Sequence, residues 1–151
     1  MRISAKVDYA VRAAIELAAA GGEPVKGDVI AEAQDIPLKF LENILGELKH
    51  TGIVASRRGA QGGYWLAKPP HAVSLADIVR AVEGPLATVR GQGPESLDYK
   101  GGAKPLQNVW IAVRANLRAI MDETTLEDLV ERDLPDRVRE LSEPAEAWSR
   151  R

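Results

Sequence analysis

The feature that most constrains this chain is an amphipathic helix pattern that runs directly into a short, basic, glycine-rich hairpin, over residues 36–67. Leu38, Leu41, Ile44, Leu45 and Leu48 recur at spacings of three and four, which predicts one apolar helix face. Pro37 suits the first helical turn, where its missing N–H costs nothing. Thr51-Gly52 is a stop, because glycine accepts the left-handed backbone that ends a helix. Two strand-like runs follow, Ile53–Ser56 and Tyr64–Ala67, with Arg57-Arg58-Gly59-Ala60-Gln61-Gly62-Gly63 between them. A helix followed by a hairpin with a cationic tip is the layout of a winged helix-turn-helix reader of duplex DNA.

The preceding chain supplies the rest of such a unit. Ser4 is placed to cap a first helix ending near Ala20, with Val7, Ala10, Val11, Ala14, Leu17 and Ala18 as its apolar stripe. Its alanines predict close approach of a neighbouring helix. Pro24–Ala33 reads as a second, short helix with Val25, Val29, Ile30 and Ala33 inward, and Gln34-Asp35-Ile36 as the turn. After the hairpin, Ser74 and Asp77 resemble a capping box that starts another helix, to Glu83.

The expected fold is mainly α with a small β-hairpin wing. Residues 1–85 form the winged helix-turn-helix domain. Residues 86–104 are a loop of GQGPESLDYKGGA character, long for a compact domain and so expected to be functional or mobile. Residues 105–141 hold a long helix and shorter C-terminal helices, and residues 142–151 a flexible tail. On the long helix, Leu106, Val109, Trp110, Val113, Leu117, Ile120 and Met121 make a continuous apolar stripe. That stripe suits a seam between two subunits, because a helix-turn-helix reader covers two half-sites as a dimer.

Charge and composition narrow the function classes. Net charge is only −2, so bulk coating of nucleic acid is excluded, but its distribution is uneven. Residues 37–68 carry five basic side chains against two acidic ones, whereas residues 122–151 carry ten acidic against five basic. A locally positive module fits a focused phosphate contact. With no cysteine, disulfides, thiolate zinc sites and cysteine-held iron–sulfur clusters are excluded. No run reaches the ~18 apolar residues that span a bilayer. The N-terminal apolar stretch is broken by Asp8, Arg12 and Glu16, unlike a signal peptide, so a cytoplasmic protein is expected.

Nothing argues for an enzyme. His50 and His71 have no partner at metal or catalytic spacing, Gly59–Gly63 lacks the lysine and hydroxyl of a phosphate loop, and Glu127/Asp128 reads as a solvated face. The DNA reading instead assigns specific roles. Lys39, Phe40, Glu42 and Asn43 face the major groove, where asparagine pairs with adenine, glutamate accepts from cytosine and phenylalanine meets a thymine methyl. Arg57 or Arg58 enters the minor groove. Gly59, Gly62 and Gly63, with Gln61, let the wing backbone approach the phosphate edge. Arg2, Lys6 and Tyr9 lie at the amino end of the first helix, within reach of the DNA backbone. The alternative class is a winged-helix protein-interaction module without direct DNA readout.

These stretches, with SLADIVRAVEGPL and VWIAVRANLRAIMDETTLEDLV, resemble the Rrf-type, IscR/NsrR-like winged-helix transcriptional regulators. The resemblance implies a homodimer on a pseudo-palindromic operator, probed by Pro37, Lys39, Phe40, Glu42, Asn43 and Arg58, and joined through the helix at Pro105–Met121. Pro37 and Lys39 replace the small hydroxyl residues usual at that helix start, so the family's common operator does not carry over. Well-known members hold an iron–sulfur cluster through three cysteines in the loop before the dimer helix, and some add an acidic ligand near Asp8. This chain has none of those cysteines, so it resembles a cysteine-less branch, and no cofactor is expected. Asp8, Tyr99 and Trp110 are the candidate lining of a pocket for a small-molecule effector between the first helix, the 91–104 loop and the dimer helix. Repression is the expected mode.

Overall fold

Ser4 caps the first helix as its sequence suggests, its Oγ accepting from the Val7 amide at 3.1 Å. In this computed structural model, which describes residues 2–150, the order is α1 (Ala5–Ala19), α2 (Gly27–Gln34), α3 (Leu38–His50), β1 (Val54–Arg57), β2 (Gly63–Leu66), α4 (Leu75–Glu83), α5 (Leu106–Met121), α6 (Leu126–Glu131) and α7 (Asp136–Ser142). The molecule is mainly helical, with one antiparallel hairpin.

Helix α1 is the hub, packing against α2, α3, α4 and α6. Its buried side is Val7, Ala10, Ala13, Ala14, Leu17 and Ala18, so small methyl groups let the neighbours come close. Val11, expected inward, is only half-buried, and Ala13 takes the inner place. In α3, Leu41, Ile44, Leu45 and Leu48 are buried, each contributing roughly 1.5–3 kcal/mol by leaving water. Leu38 does not join them. It lies in the first turn, past the rim of the core, and is 43% exposed. In α2, Ile30 and Ala31 are buried while Val29 and Ala33 are exposed; the helix begins at Gly27 and not at Pro24, so Val25 lies outside it.

The turn between α2 and α3 closes with Asp35 at φ 51°, and the Ile36 amide donates to Ala31 O at 2.9 Å. Pro37 stands just ahead of the helix as its extended cap residue and not inside the first turn. At the other end, the Gly52 amide donates to Lys49 O and the Ile53 amide to Leu48 O, both at 3.0 Å, with Gly52 at φ 77°. This Schellman closure uses Ile53 to finish the helix. The first hairpin strand therefore starts one residue later than the pattern suggests and the second, paired to it, one residue earlier, with Val54 opposite Leu66 and Arg57 opposite Gly63. Val25 adds a short third edge, exchanging 2.8 Å bonds with Tyr64 in both directions.

After α5 the chain does something its sequence does not announce. The Leu75 amide donates to Thr124 O at 2.9 Å, and the Leu126 amide to Val73 O at 3.0 Å, so the start of α6 zips onto the start of α4. Both helices open with complete capping boxes, Ser74 with Asp77 and Thr125 with Asp128. Leu126 is fully buried in the core beside α1. The expected domain boundary at residue 85 is thus crossed, because α6 completes the winged-helix core. Arg80 reinforces the joint through Asp122 at 2.9 Å.

The 86–104 segment is ordered against α5. Gln107 Nε2 donates to the carbonyls of Pro94 and Leu97 at 3.1 and 2.8 Å, and Leu97 and Pro94 are buried. Arg114 pairs with Glu95. The Glu95 carboxyl is held below its ordinary value, first by its own backbone amide and then by Arg114. In the tail, a 3-10 turn spans Ala145–Trp148, and the Trp148 indole N–H donates to Ser142 O at 2.6 Å.

Candidate nucleic-acid interface

The outer side of α3 presents Lys39, Phe40, Glu42 and Asn43, all exposed, as the helical spacing predicts. Burying the leucine face against α1 and α4 leaves this side no other place. Lys39 and Glu42 lie 3.7 Å apart, one turn along the helix. Pro37 is exposed at the helix entry. From α1, Tyr9 meets the edge of Phe40, with ring centroids 5.7 Å apart and planes at 87°. Arg12 sits over the Tyr9 ring at 4.9 Å.

The wing places Arg58 at its tip, where no hydrogen bond or ion pair engages it among the described residues. Arg57 instead folds back, its Nη2 donating to Gln61 O at 3.1 Å and bracing the loop. The wing glycines divide into two kinds. Gly59 is exposed at φ 102°, with open space where a Cβ would stand. Gly62 and Gly63 are buried: a Cβ on Gly62 would meet Arg57 O at 2.1 Å, and one on Gly63 would meet Val25 O at 2.7 Å. The protein's own backbone demands these two glycines, a reason for them separate from any approach to phosphate.

At the amino end of α1, Lys6 is pulled inward. Its Nζ donates to Val82 O at 2.7 Å and pairs with Glu47 at 2.8 Å, tying α1 to α3 and α4. Arg2 is exposed. Two cations that the sequence reading left unassigned join the site. Lys26 and Lys49 line a hollow with Arg57 and Arg58, between the start of α2, the C-terminal part of α3 and the wing. Lys26 Nζ also donates to Gly59 O, linking α2 to the wing tip. The available signal was the position of Lys26 directly before α2; the fold supplies the meeting with the wing.

The α5 stripe is present and uncovered. None of its 16 residues is buried, and Val109, Ala112, Val113, Asn116, Leu117 and Ile120 line a shallow, nearly all-apolar trough. Leu106, Trp110 and Met121 are half-buried against the chain's own elements.

The proposed pocket trio does not assemble. Trp110 Nε1 donates to Tyr99 Oη at 3.1 Å, but Asp8 pairs with Arg12 at 2.9 Å on the reading side of α1. A cavity of about 440 Å³ lies instead where the start of α1, the end of α4, residues 85–88 and the end of α5 converge, with Val7, Val79, Leu86, Leu117 and Met121 in its walls. None of Asp8, Tyr99 and Trp110 lines it.

Among the described residues no catalytic constellation replaces this picture. His71 Nδ1 lies 4.0 Å from Glu127, but both side chains are largely exposed. No helix among the described residues is long and apolar enough to cross a membrane.

Comparison with known proteins agrees with the geometry. Residues 3–132 match the Rrf2 family, described as an iron-dependent transcriptional regulator. A candidate HTH-type transcriptional regulator of Mycobacterium tuberculosis is 47% identical over 144 residues, covering 95% of this chain and 89% of that protein. The HTH-type transcriptional regulator CymR of Bacillus subtilis is 38% identical over 130 residues, covering 85% and 89%. Among solved structures, CymR, the global cysteine regulator of B. subtilis, superposes with a TM-score of 0.74 at 35% identity, covering 87% of this chain and 98% of that one. IscR of T. potens gives 0.70 at 33% identity, covering 87% and 88%. The donor set does not fit an iron–sulfur cluster: the sequence has no cysteine, and no three His, Asp or Glu side chains gather to hold a metal among the described residues. With a match across most of its length, the chain belongs to the Rrf2 family, as a DNA-binding transcriptional regulator and not an enzyme.

Proposed function

We propose that this regulator is a homodimeric repressor that reads a pseudo-palindromic operator, works without an iron–sulfur cluster and answers to a small-molecule effector. The observation that carries the reading is α5, a 16-residue helix with an apolar stripe and no buried residue. A second α5 supplies the missing cover, and the resulting two-fold pair sets two copies of α3 toward two half-sites. Lys39, Phe40, Glu42 and Asn43 read bases; Arg58, Lys26 and Lys49 hold phosphates. A dimer seated on promoter DNA represses by excluding polymerase.

The absence of thiolate ligands supports a cluster-free protein. The cavity between α1, α4 and α5 supports an effector site, since it lies where the reading unit joins the proposed dimer helix. An effector there acts only by binding DNA-competent and DNA-incompetent dimers unequally.

The test is a binding titration of the purified protein on DNA from its own upstream region, across a salt series. Affinity falls with salt as counterions are released. Arg58→Ala weakens binding and lowers the salt slope by about one. An unchanged affinity and slope in that variant would remove the wing from the reading. A visible absorption spectrum of freshly purified protein tests the cluster-free claim.

A further inference from the structure

Large apolar side chains stand in water on the reading face, where charge would cost less. Leu38 and Phe40 of α3 are each 43% exposed, both in the first turn that enters the groove. Phe40 is held in place by a chain of contacts from α1. Arg12 Nη1 donates to Gln34 O at 2.6 Å at the end of α2, and its Nη2 pairs with Asp8 at 2.9 Å. So fixed, the guanidinium lies over the Tyr9 ring, and Tyr9 in turn meets Phe40 edge to face. A planar guanidinium held on two sides and stacked on a ring is a rigid brace. Leu38 is seated beside Gly27, with 3.8 Å between its Cδ1 and the place a Cβ would take there.

In the major groove, the apolar group on a base edge is the C5-methyl of thymine. We propose that Phe40 and Leu38 are an apolar reader of thymine methyl groups in each half-site, and that Arg12 is a positioning residue acting on Phe40 through Tyr9. The inference rests on the DNA reading of α3 given above. It explains why Asp8 is neutralised by Arg12 and turned away from the cavity: it belongs to the brace.

The experiment uses the full chain and a duplex that the protein itself selects from a random pool. Each thymine is replaced in turn by deoxyuridine, which removes the methyl group and leaves every hydrogen-bonding atom. Binding is followed by fluorescence anisotropy. At one or two positions per half-site the wild type loses about fourfold, the value of one buried methyl. Phe40→Ala and Leu38→Ala bind more weakly but no longer distinguish thymine from uracil there. Tyr9→Leu and Arg12→Gln lose the discrimination while keeping the salt slope, which a merely structural role would not do. Arg12→Lys, which restores charge without the planar stack, stays indifferent to the methyl. If every replacement leaves wild-type affinity within about twofold, or if discrimination survives in Phe40→Ala, the inference is overturned while the DNA reading stands. Selection of no duplex at all overturns both.

Discussion

Helix α3 buries Leu41, Ile44, Leu45 and Leu48 inside its own chain, whereas α5, three residues longer, buries nothing. Both carry apolar residues at spacings of three and four, so periodicity alone gives them the same description. The difference lies in what the rest of the chain provides. Around α3 stand α1, α2, α4 and the wing. Around α5 stand the 94–97 turn and the end of α4. An amphipathic pattern thus says that a face will be covered, and leaves open whether the cover comes from the same molecule.

Three changes break or sharpen this contrast. The largest effect is expected at Leu45→Ala, where a fully buried side chain is lost from the core, at a cost of about 2–5 kcal/mol measured by urea denaturation. A cost below 1 kcal/mol would mean that α3 is not an internal helix in this sense. Next comes Val113→Asp on α5. It leaves the circular-dichroism spectrum intact and weakens self-association by about a hundredfold, on the order of 3 kcal/mol, because a carboxylate is forced into an apolar seam. Light scattering coupled to size exclusion reads it directly. A monomeric wild type, or a variant that stays dimeric, would deny α5 its partner.

The smallest effect concerns the loop that accompanies α5. Glu95 is depressed in the folded state, so its contribution is complete above its unfolded value and disappears as pH falls through the lower folded one. Trp110 fluorescence, followed in a background with Trp65 and Trp148 replaced by Phe, therefore changes below the ordinary glutamate range. In Arg114→Ala that midpoint moves up toward the ordinary range; an unmoved midpoint would take the Arg114 pair out of the loop's attachment.

Much of the reading unit was legible because its signals are local. The caps at Ser4 and Ser74, the stop at Gly52 and the α3 spacing each depend on residues within four positions. The misses have other origins. Leu38 and Val29 satisfy the helical pattern but lie at the edge of the core, 43% and 53% exposed. The first strand begins one residue late because Ile53 is spent on closing α3. Gly62 and Gly63 look like loop glycines, yet their constraint comes from backbone at Arg57 and Val25. Lys26 meets Lys49 and Arg57 only after three elements have been placed. Asp8 was assigned to a pocket by resemblance, whereas Arg12, one helical turn on, takes its charge. Long-range contacts decide the glycines and Lys26, about which spacing carries no information, whereas the Asp8–Arg12 pair and the Ile53 closure of α3 are local.

The return of α6 to the core also bears on how this protein can be cut and joined. A fragment ending after α4 would contain every proposed DNA-contacting residue yet lack Leu126, leaving a hole beside Val73 and exposing the Leu75 amide that Thr124 now satisfies. The reading head is therefore not a detachable module to be grafted onto another scaffold. Its final stone is laid after α5 has gone out and come back, so α5 is a handle fastened to the head at both ends.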